Sequence, residues 1–138
     1  MLGVSRILAL ATLANVTVLF VSAGFIVEDN SALGIHGFGG IMLHIFTGLL
    51  AVSLSIRAWL SKTGLAQAGI AVVLFALTFP QAALGSYMTM PMHVTGALIL
   101  TLLAAWLTAW TLLQHRLQPT HQDQPASTHE STKTNAHV

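Results

Sequence analysis

Four long apolar segments, separated by short polar breaks, constrain the fold of this chain more than any other feature. A helix needs about 20 predominantly apolar residues to cross the hydrocarbon core of a membrane. The four segments reach that length, at about residues 7–27, 39–60, 65–87 and 91–113. We therefore predict an all-α integral membrane four-helix bundle that occupies residues 1–114.

The composition agrees with this prediction. Of the 138 residues, 54% are hydrophobic and only 7% are charged, whereas a soluble domain usually carries about 25% charged residues. Residues 115–138 are rich in Gln, Thr, Ser, His and Pro, and we expect a disordered polar tail in the cytoplasm. The net charge of +1 says nothing about nucleic acid, but the sequence has no basic patch, so no nucleic-acid partner is expected. The absence of cysteine excludes disulfides and covalent heme attachment.

The positions of Lys and Arg predict how the bundle is oriented, because cytoplasmic loops are enriched in both. Arg6 precedes the first segment, Arg57 and Lys62 flank the break between the second and third, and Arg116 follows the fourth. The other two breaks contain neither residue, and the first of them is acidic. Both termini should therefore be cytoplasmic, in a multi-pass protein of the bacterial inner membrane.

The first segment has an alternative interpretation as a signal peptide. Residues 21–23, Val-Ser-Ala, have the small side chains that a cleavage site requires. The apolar run continues past them to Val27, and the charge pattern fits four spans better than three.

Two histidines lie inside the apolar segments. His44, in "GGIMLHIFTGLL", and His93, in "PMHVTGALIL", are near the starts of the second and fourth segments, which run in the same direction. A glycine follows each histidine at helical spacing, Gly48 and Gly96. An ionisable residue within a membrane segment is costly and so marks a candidate functional site. Two of them at similar depths predict a ligand held between two helices.

Two facing imidazoles suit the axial positions of a heme iron, with the glycines leaving room for the flat macrocycle. A tetrahedral zinc site would need three or four protein ligands. The sequence thus predicts heme b between His44 and His93. His36, in the glycine-rich stretch "GIHGFGG", is predicted to lie in an interfacial loop; it could instead bond a heme propionate or replace His44 as the ligand. The competing interpretation is that the histidines are solvated side chains at the level of the lipid headgroups, and that the glycines only allow neighbouring helices to pack closely.

The third segment ends in "FPQAALGSY", which contains a proline and a buried amide. Pro80 is expected to kink the helix, and Gln81 needs a hydrogen-bond partner on a neighbouring helix. Gly85 lies one turn further on the same face, and Asn15 of the first segment is likewise interpreted as a polar helix contact. A methionine cluster follows that could supply a thioether ligand, although interfacial apolar side chains explain it more simply: Met88, Met90 and Met92.

Over about residues 7–114 the chain resembles one four-helix half of the heme A synthase family, and small uncharacterised four-helix membrane proteins of bacteria with the same histidine-bearing helices. The most specific stretch is "PQAALGSYMTMPMHVTGALIL", in which Gln81 and the Leu-Gly pair at 84–85 resemble the family's third-helix pattern. His93 matches the histidine that opens the fourth helix, and His44 in "LHIFTG" matches that of the second. The resemblance implies a heme bound near the outer surface by these two histidines.

Two departures limit what the resemblance implies. The catalytic half of heme A synthase carries a glutamate one turn before its second-helix histidine, and Ile41 stands there in this chain. The second half of the tandem is also absent, so heme A synthesis is doubtful and an enzymatic activity of this chain on its own is not expected.

The expectation is therefore a b-type heme-binding membrane protein in electron transfer or heme handling. Bis-histidine ligation leaves no open iron position, which argues against oxygen chemistry. The chain would lie in the lipid bilayer and exchange electrons with a quinol or a redox protein. It could act as a homodimer or within a larger membrane complex. The alternative, from another class, is a cofactor-free structural subunit or assembly factor of such a complex. A small-solute carrier has less support, because no carboxylate or lysine lies within the apolar segments.

Overall fold

Four α-helices make up the part of the chain that the structure describes. The computed structural model describes residues 2–85 and 89–116. The helices are α1 (Leu2–Asp29), α2 (Leu33–Ser61), α3 (Leu65–Ala83) and α4 (Met90–Arg116). The predicted all-α, four-helix architecture is confirmed. Helix α4 extends through residues 115 and 116, which were predicted to begin the disordered tail. The rest of that predicted tail, residues 117–138, lies outside the described residues, as does Met88.

The helices are arranged as a ring in which each helix packs against two neighbours. Helix α1 packs on α2 and α4, and α3 also packs on α2 and α4. Within the described residues, the backbones of the diagonal pairs α1–α3 and α2–α4 do not come close to each other, although side chains of α2 and α4 meet across the bundle. The connections between consecutive helices are short, so each helix runs antiparallel to the next. Helices α2 and α4 therefore run in the same direction on opposite corners of the bundle.

Residues with a left-handed backbone conformation, which has a positive φ, allow the chain to reverse between helices. Asn30 has a φ of 61° between α1 and α2, and Lys62 and Gly64 have φ values of 55° and 79° between α2 and α3. Gly adopts this region without strain, and Asn does so more readily than most residues. The backbone N–H of Asn30 also donates to the carbonyl oxygen of Ile26 at 3.1 Å, which completes the last turn of α1.

Helix α2 begins six residues before the predicted second segment. The glycine-rich stretch 34–40, predicted to be a loop, is helical. Glycine costs about 1 kcal/mol relative to alanine in a helix, but a backbone in an apolar surrounding must hydrogen-bond internally, and a continued helix provides those bonds. As a result His36 lies in the first turn of α2 and His44 lies more than three turns into it. Helix α3, by contrast, ends at Ala83, one turn before the predicted limit of the third segment.

The interior of the bundle consists of small side chains, leucines and threonines. Each buried threonine hydroxyl donates to a carbonyl of its own helix, as Thr47 does to Leu43 at 2.6 Å and Thr12 to Leu8 at 2.8 Å. The hydroxyl groups of these two residues are therefore hydrogen-bonded although they lie in an apolar interior. The most deeply buried residues of this interior are Ala9, Ala71, Ala104, Leu50, Leu74, Leu107, Ser5, Thr12, Thr47, Thr78 and Thr111.

Large apolar side chains cover the outside of all four helices. Val27, Trp59, Leu65 and Met92 are each more than 60% exposed. A water-soluble bundle would bury such groups, whereas a bundle in lipid packs small residues inside and leaves large apolar ones outside. Each helix is long and apolar enough to cross a membrane. These features are those of a multi-pass membrane protein.

The described charged side chains separate to the two ends of the bundle. Arg57 and Lys62 lie at the end that also carries the start of α1, each beside a tryptophan: the Arg57 guanidinium is 5.2 Å from the Trp110 ring centroid, and the Lys62 ammonium is 5.0 Å from that of Trp59. The exposed acidic residues at the end of α1, Glu28 and Asp29, are at the opposite end. The described part of the bundle thus has a basic end and an acidic end.

Candidate functional site

His36, His44 and His93 lie in the acidic half of the bundle, whereas the fourth histidine within the helices, His115, lies in the last turn of α4 at the opposite end. We call the acidic end of the bundle the histidine end. It is formed by the last turns of α1 and α3 and the first turns of α2 and α4. His36 and His93 are each the fourth residue of their helix. His44 lies eight residues beyond His36, about 12 Å deeper at 1.5 Å per residue. All three side chains are half-buried.

His36 is held by α1. Its Nδ1 lies 3.2 Å from the carbonyl oxygen of Leu19 and 3.0 Å from the hydroxyl oxygen of Ser22. The Ser22 hydroxyl itself donates to the Leu19 carbonyl at 3.0 Å. A carbonyl oxygen can only accept, so in the neutral ring Nδ1 carries the proton and Nε2 keeps its lone pair.

His93 and Gln81 hold each other across the α3–α4 interface. Nδ1 of His93 donates to the backbone carbonyl of Gln81 at 2.9 Å, and the Gln81 side-chain amide donates to the backbone carbonyl of His93 at 2.7 Å. The Gln81 amide fits because Gly96 has no side chain: a Cβ there would collide with Oε1 of Gln81. Gly85 borders the His93 ring, whose Cε1 would be 3.8 Å from a Cβ at that position.

His44 has a different environment. Its Nδ1 donates to the carbonyl of Gly40, in its own helix, at 2.8 Å. Its ring meets Phe79 edge to face, with centroids 4.8 Å apart, and Phe79 meets Phe75 in the same way at 5.1 Å. Gly48, one turn below His44, provides the space for this row, because a Cβ there would lie 3.2 Å from the Phe75 ring.

One feature is shared by all three histidines: Nδ1 donates to a backbone carbonyl, and Nε2 has no hydrogen-bond partner among the described residues. The hydrogen bond at one ring nitrogen determines which nitrogen is available to a metal. A histidine ligand usually donates its second ring N–H to a carbonyl or carboxylate, which fixes the tautomer and the ring orientation. Each of these side chains is thus prepared to offer Nε2 as a ligand atom.

The structure brings His36 and His93 together. Their ring centroids are 6.4 Å apart, with the ring planes inclined by 51°. The sequence predicted His44 as the facing residue on α2, but the earlier start of that helix places His36, instead of His44, at the level of His93.

Within the described residues, no three His, Cys, Asp or Glu side chains cluster closely enough to hold a metal ion by themselves. Two imidazoles supply two ligands, so a metal bound between them would take its remaining ligands from a cofactor or from solvent. Heme meets this requirement, because the macrocycle supplies four nitrogen ligands and leaves two axial positions.

A separate cleft lies between α3 and α4, with a volume of about 130 Å³. Except for Gln81, it is lined by apolar residues and glycine, among them Pro80 and Leu84. It is well below the roughly 300 Å³ of the smallest usual ligand pockets, and the histidine rings do not line it. The cleft is therefore not a candidate for the predicted cofactor.

Two contacts at this end were only partly foreseen. Asn15, predicted as a polar helix contact, donates its side-chain amide to the carbonyl of Gly39 at 2.9 Å and ties α1 to α2. Ser22, the partner of His36, was missed. It lies seven residues after Asn15, so the two share one face of α1. This spacing of polar residues in an apolar helix is the sequence pattern that could have identified Ser22.

No family model, curated protein or solved structure matches the chain.

Proposed function

We propose that this chain is an integral membrane protein that binds a b-type heme through two histidine imidazoles, one from α2 and one from α4, and that it acts in electron transfer or heme handling. The observation that carries the proposal is the shared hydrogen bonding of His36, His44 and His93. In each, Nδ1 is committed to a carbonyl and Nε2 is available. Such side chains suit axial ligation of iron.

The arrangement of the helices also supports the proposal. Helices α2 and α4 lie on opposite corners of the bundle, so the bundle interior separates them. Bundle interiors are where cofactors are held by side chains from facing helices. Bound heme would supply one-electron chemistry at its iron. The protein would contribute His93 from α4 and one imidazole from α2, with His44 predicted from the sequence and His36 as its alternative.

The surroundings of the histidines favour electron transfer or heme handling. Two axial imidazoles would leave no iron position for oxygen. With both termini in the cytoplasm, as the Lys and Arg distribution indicates, the histidine end would face the outside of a bacterial inner membrane. A quinol or redox protein would meet the heme there, and the chain would work alone, as a homodimer or within a larger complex.

Visible absorption spectra of the purified protein test the proposal. After expression with adequate heme supply, we expect a Soret band and, on reduction, the sharp bands of a six-coordinate b-type heme. As a control, alanine at His121, His129 and His137 of the tail should leave the spectrum unchanged, whereas alanine at His36, His44 and His93 together should abolish it. Purified wild-type protein without a Soret band would refute heme binding. Such a protein, recovered with a larger membrane complex, would instead support the cofactor-free structural subunit.

A further inference from the structure

We infer that His36, and not His44, is the axial ligand on α2, so that the heme is held by His36 and His93. This inference rests on the proposed function. It departs from the sequence pattern, which pairs His44 with His93. Three observations carry it: the separation of the rings, their depth in the bundle, and the contacts that orient them.

The separation of the two rings matches what one metal atom between them requires. The centroids of His36 and His93 are 6.4 Å apart. A metal–imidazole bond is about 2 Å long, taking zinc as a guide. Two such bonds, and the distance from each nitrogen to its ring centre, add up to nearly the observed separation. The two side chains are therefore at a separation that suits one iron atom between them.

The depth of the residues gives the second argument. Axial ligands approach the iron from opposite faces of one plane, so they must lie at the same level between two helices. His36 and His93 are each the fourth residue of two helices that run in the same direction. His44 lies about 12 Å further along α2. To face His93, it would need a shift of α2 by two turns.

The orienting contacts give the third argument. His36 is held by the Leu19 carbonyl and the Ser22 hydroxyl of α1, and His93 by the Gln81 carbonyl of α3. Each proposed ligand is therefore fixed from a neighbouring helix, and all four helices take part in the site.

His44 lacks this support from a second helix. Its Nδ1 bonds only within α2, to Gly40, and its ring edge packs on Phe79. This environment is that of a packing residue in the row formed with Phe79 and Phe75. Aromatic packing of this kind needs no bound ligand to explain it.

Single alanine variants of the full chain separate the two ligand assignments. We expect His36→Ala and His93→Ala each to reduce bound heme per protein at least tenfold, and His44→Ala to keep the wild-type spectrum and midpoint potential. Circular dichroism would verify that each variant retains its helix content. A His36→Ala protein with the wild-type spectrum, together with loss of heme in His44→Ala, would overturn the inference and leave heme binding intact. A colourless wild-type protein would remove both.

Methionine variants provide a second test, because an alanine variant that fails to fold would also lose heme. Replacement of one axial histidine by methionine raises the reduction potential of a heme. We therefore expect His36→Met to shift the midpoint potential upward and His44→Met to leave it unchanged. An upward shift in His44→Met, with none in His36→Met, would assign the ligand to His44. The orienting role of Ser22 has its own readout: Ser22→Ala should keep the heme but alter its midpoint potential, since the imidazole loses a hydrogen-bond partner.

Discussion

The side-chain oxygen of Gln81 occupies the place that a Cβ at Gly96 would take. This relationship joins α3 to α4 at the histidine end, since the same amide donates to the backbone carbonyl of His93. Gly96 is therefore important because any side chain at this position would displace the Gln81 amide. From the sequence, Gly96 was expected to make room for a macrocycle, but in the structure the space beside it holds the Gln81 amide.

Alanine at Gly96 should destabilise the bundle. The added methyl group displaces the Gln81 amide and breaks its bond to His93, and overpacking of this kind costs about 1–3 kcal/mol. Thermal unfolding in detergent measures the effect. Gly69→Ala is the matched control, because a Cβ at Gly69 meets nothing within 4 Å and should be neutral or slightly stabilising. Equal stability of the two variants would show that the Gln81 contact is unimportant.

Two adjacent glycines of α2 offer a similar comparison at the α1–α2 interface. A Cβ at Gly39 would lie 2.9 Å from Cδ2 of Leu19, whereas one at Gly40 meets nothing within 4 Å. We expect Gly39→Ala to lower the free energy of unfolding by about 1 kcal/mol, because Leu19 must move. Gly40→Ala should have no such cost. Unfolding curves of the two variants, measured side by side, check the prediction, and a greater loss in Gly40→Ala would contradict the packing described for this interface.

The hydroxyl of Thr108 should contribute more to the stability of the bundle than the hydroxyl of Thr101. Thr108 is buried and bonds both to Ala104 in its own helix and to the carbonyl of Ala9 in α1, at 3.1 Å. Thr101 bonds only to Ala97, within α4. Because valine keeps the shape and removes the hydroxyl, Thr108→Val should cost roughly 0.6 kcal/mol, and at most about 1.7. Thr101→Val should be close to neutral in the same unfolding assay.

The histidine tautomers can be measured without heme. Each of His36, His44 and His93 donates from Nδ1 to a carbonyl, so the neutral form of each ring should carry its proton on Nδ1. Nitrogen-15 spectra of histidine-labelled, heme-free protein distinguish the tautomers, and single substitutions assign the signals. Signals from rings protonated at Nε2 would contradict the orientation that the proposed ligand role requires.

The orientation in the membrane is open to chemical labelling, because the chain has no cysteine of its own. Ser31 and Thr63 are exposed residues at opposite ends of the bundle. An impermeant maleimide added to intact cells should label Ser31→Cys, and should label Thr63→Cys only after the membrane is permeabilised. The reverse pattern would place the termini outside and contradict the orientation predicted from Lys and Arg.

Helix number and order were predictable from the sequence, because apolar length alone decides how many segments can cross a membrane. The start of α2 was not predictable. Gly34, Gly37, Gly39 and Gly40 together have a composition typical of a loop, yet the backbone there is helical. Propensity was outweighed by the requirement for internal hydrogen bonds. That difference of six residues determines which histidine of α2 lies level with His93.

The contacts of Gln81 were predictable only in part. A buried amide must find a partner, so a contact with another helix was expected. That its partners would be the backbone of His93 and the space beside Gly96 depends on the register of α3 against α4. Register arises from packing along the whole interface, and no local pattern reports it.

The threonines of the interior have a consequence for how this protein is made. Because Thr12, Thr47 and Thr101 bond within their own helices, these hydroxyls are already paired before any neighbouring helix arrives. Each helix can then enter the bilayer as an independent unit during synthesis, with little polar penalty from these groups. Assembly into the ring would follow as a second stage, in which shape guides the pairing and the few bonds between helices, such as those at His36 and Gln81, select the final register.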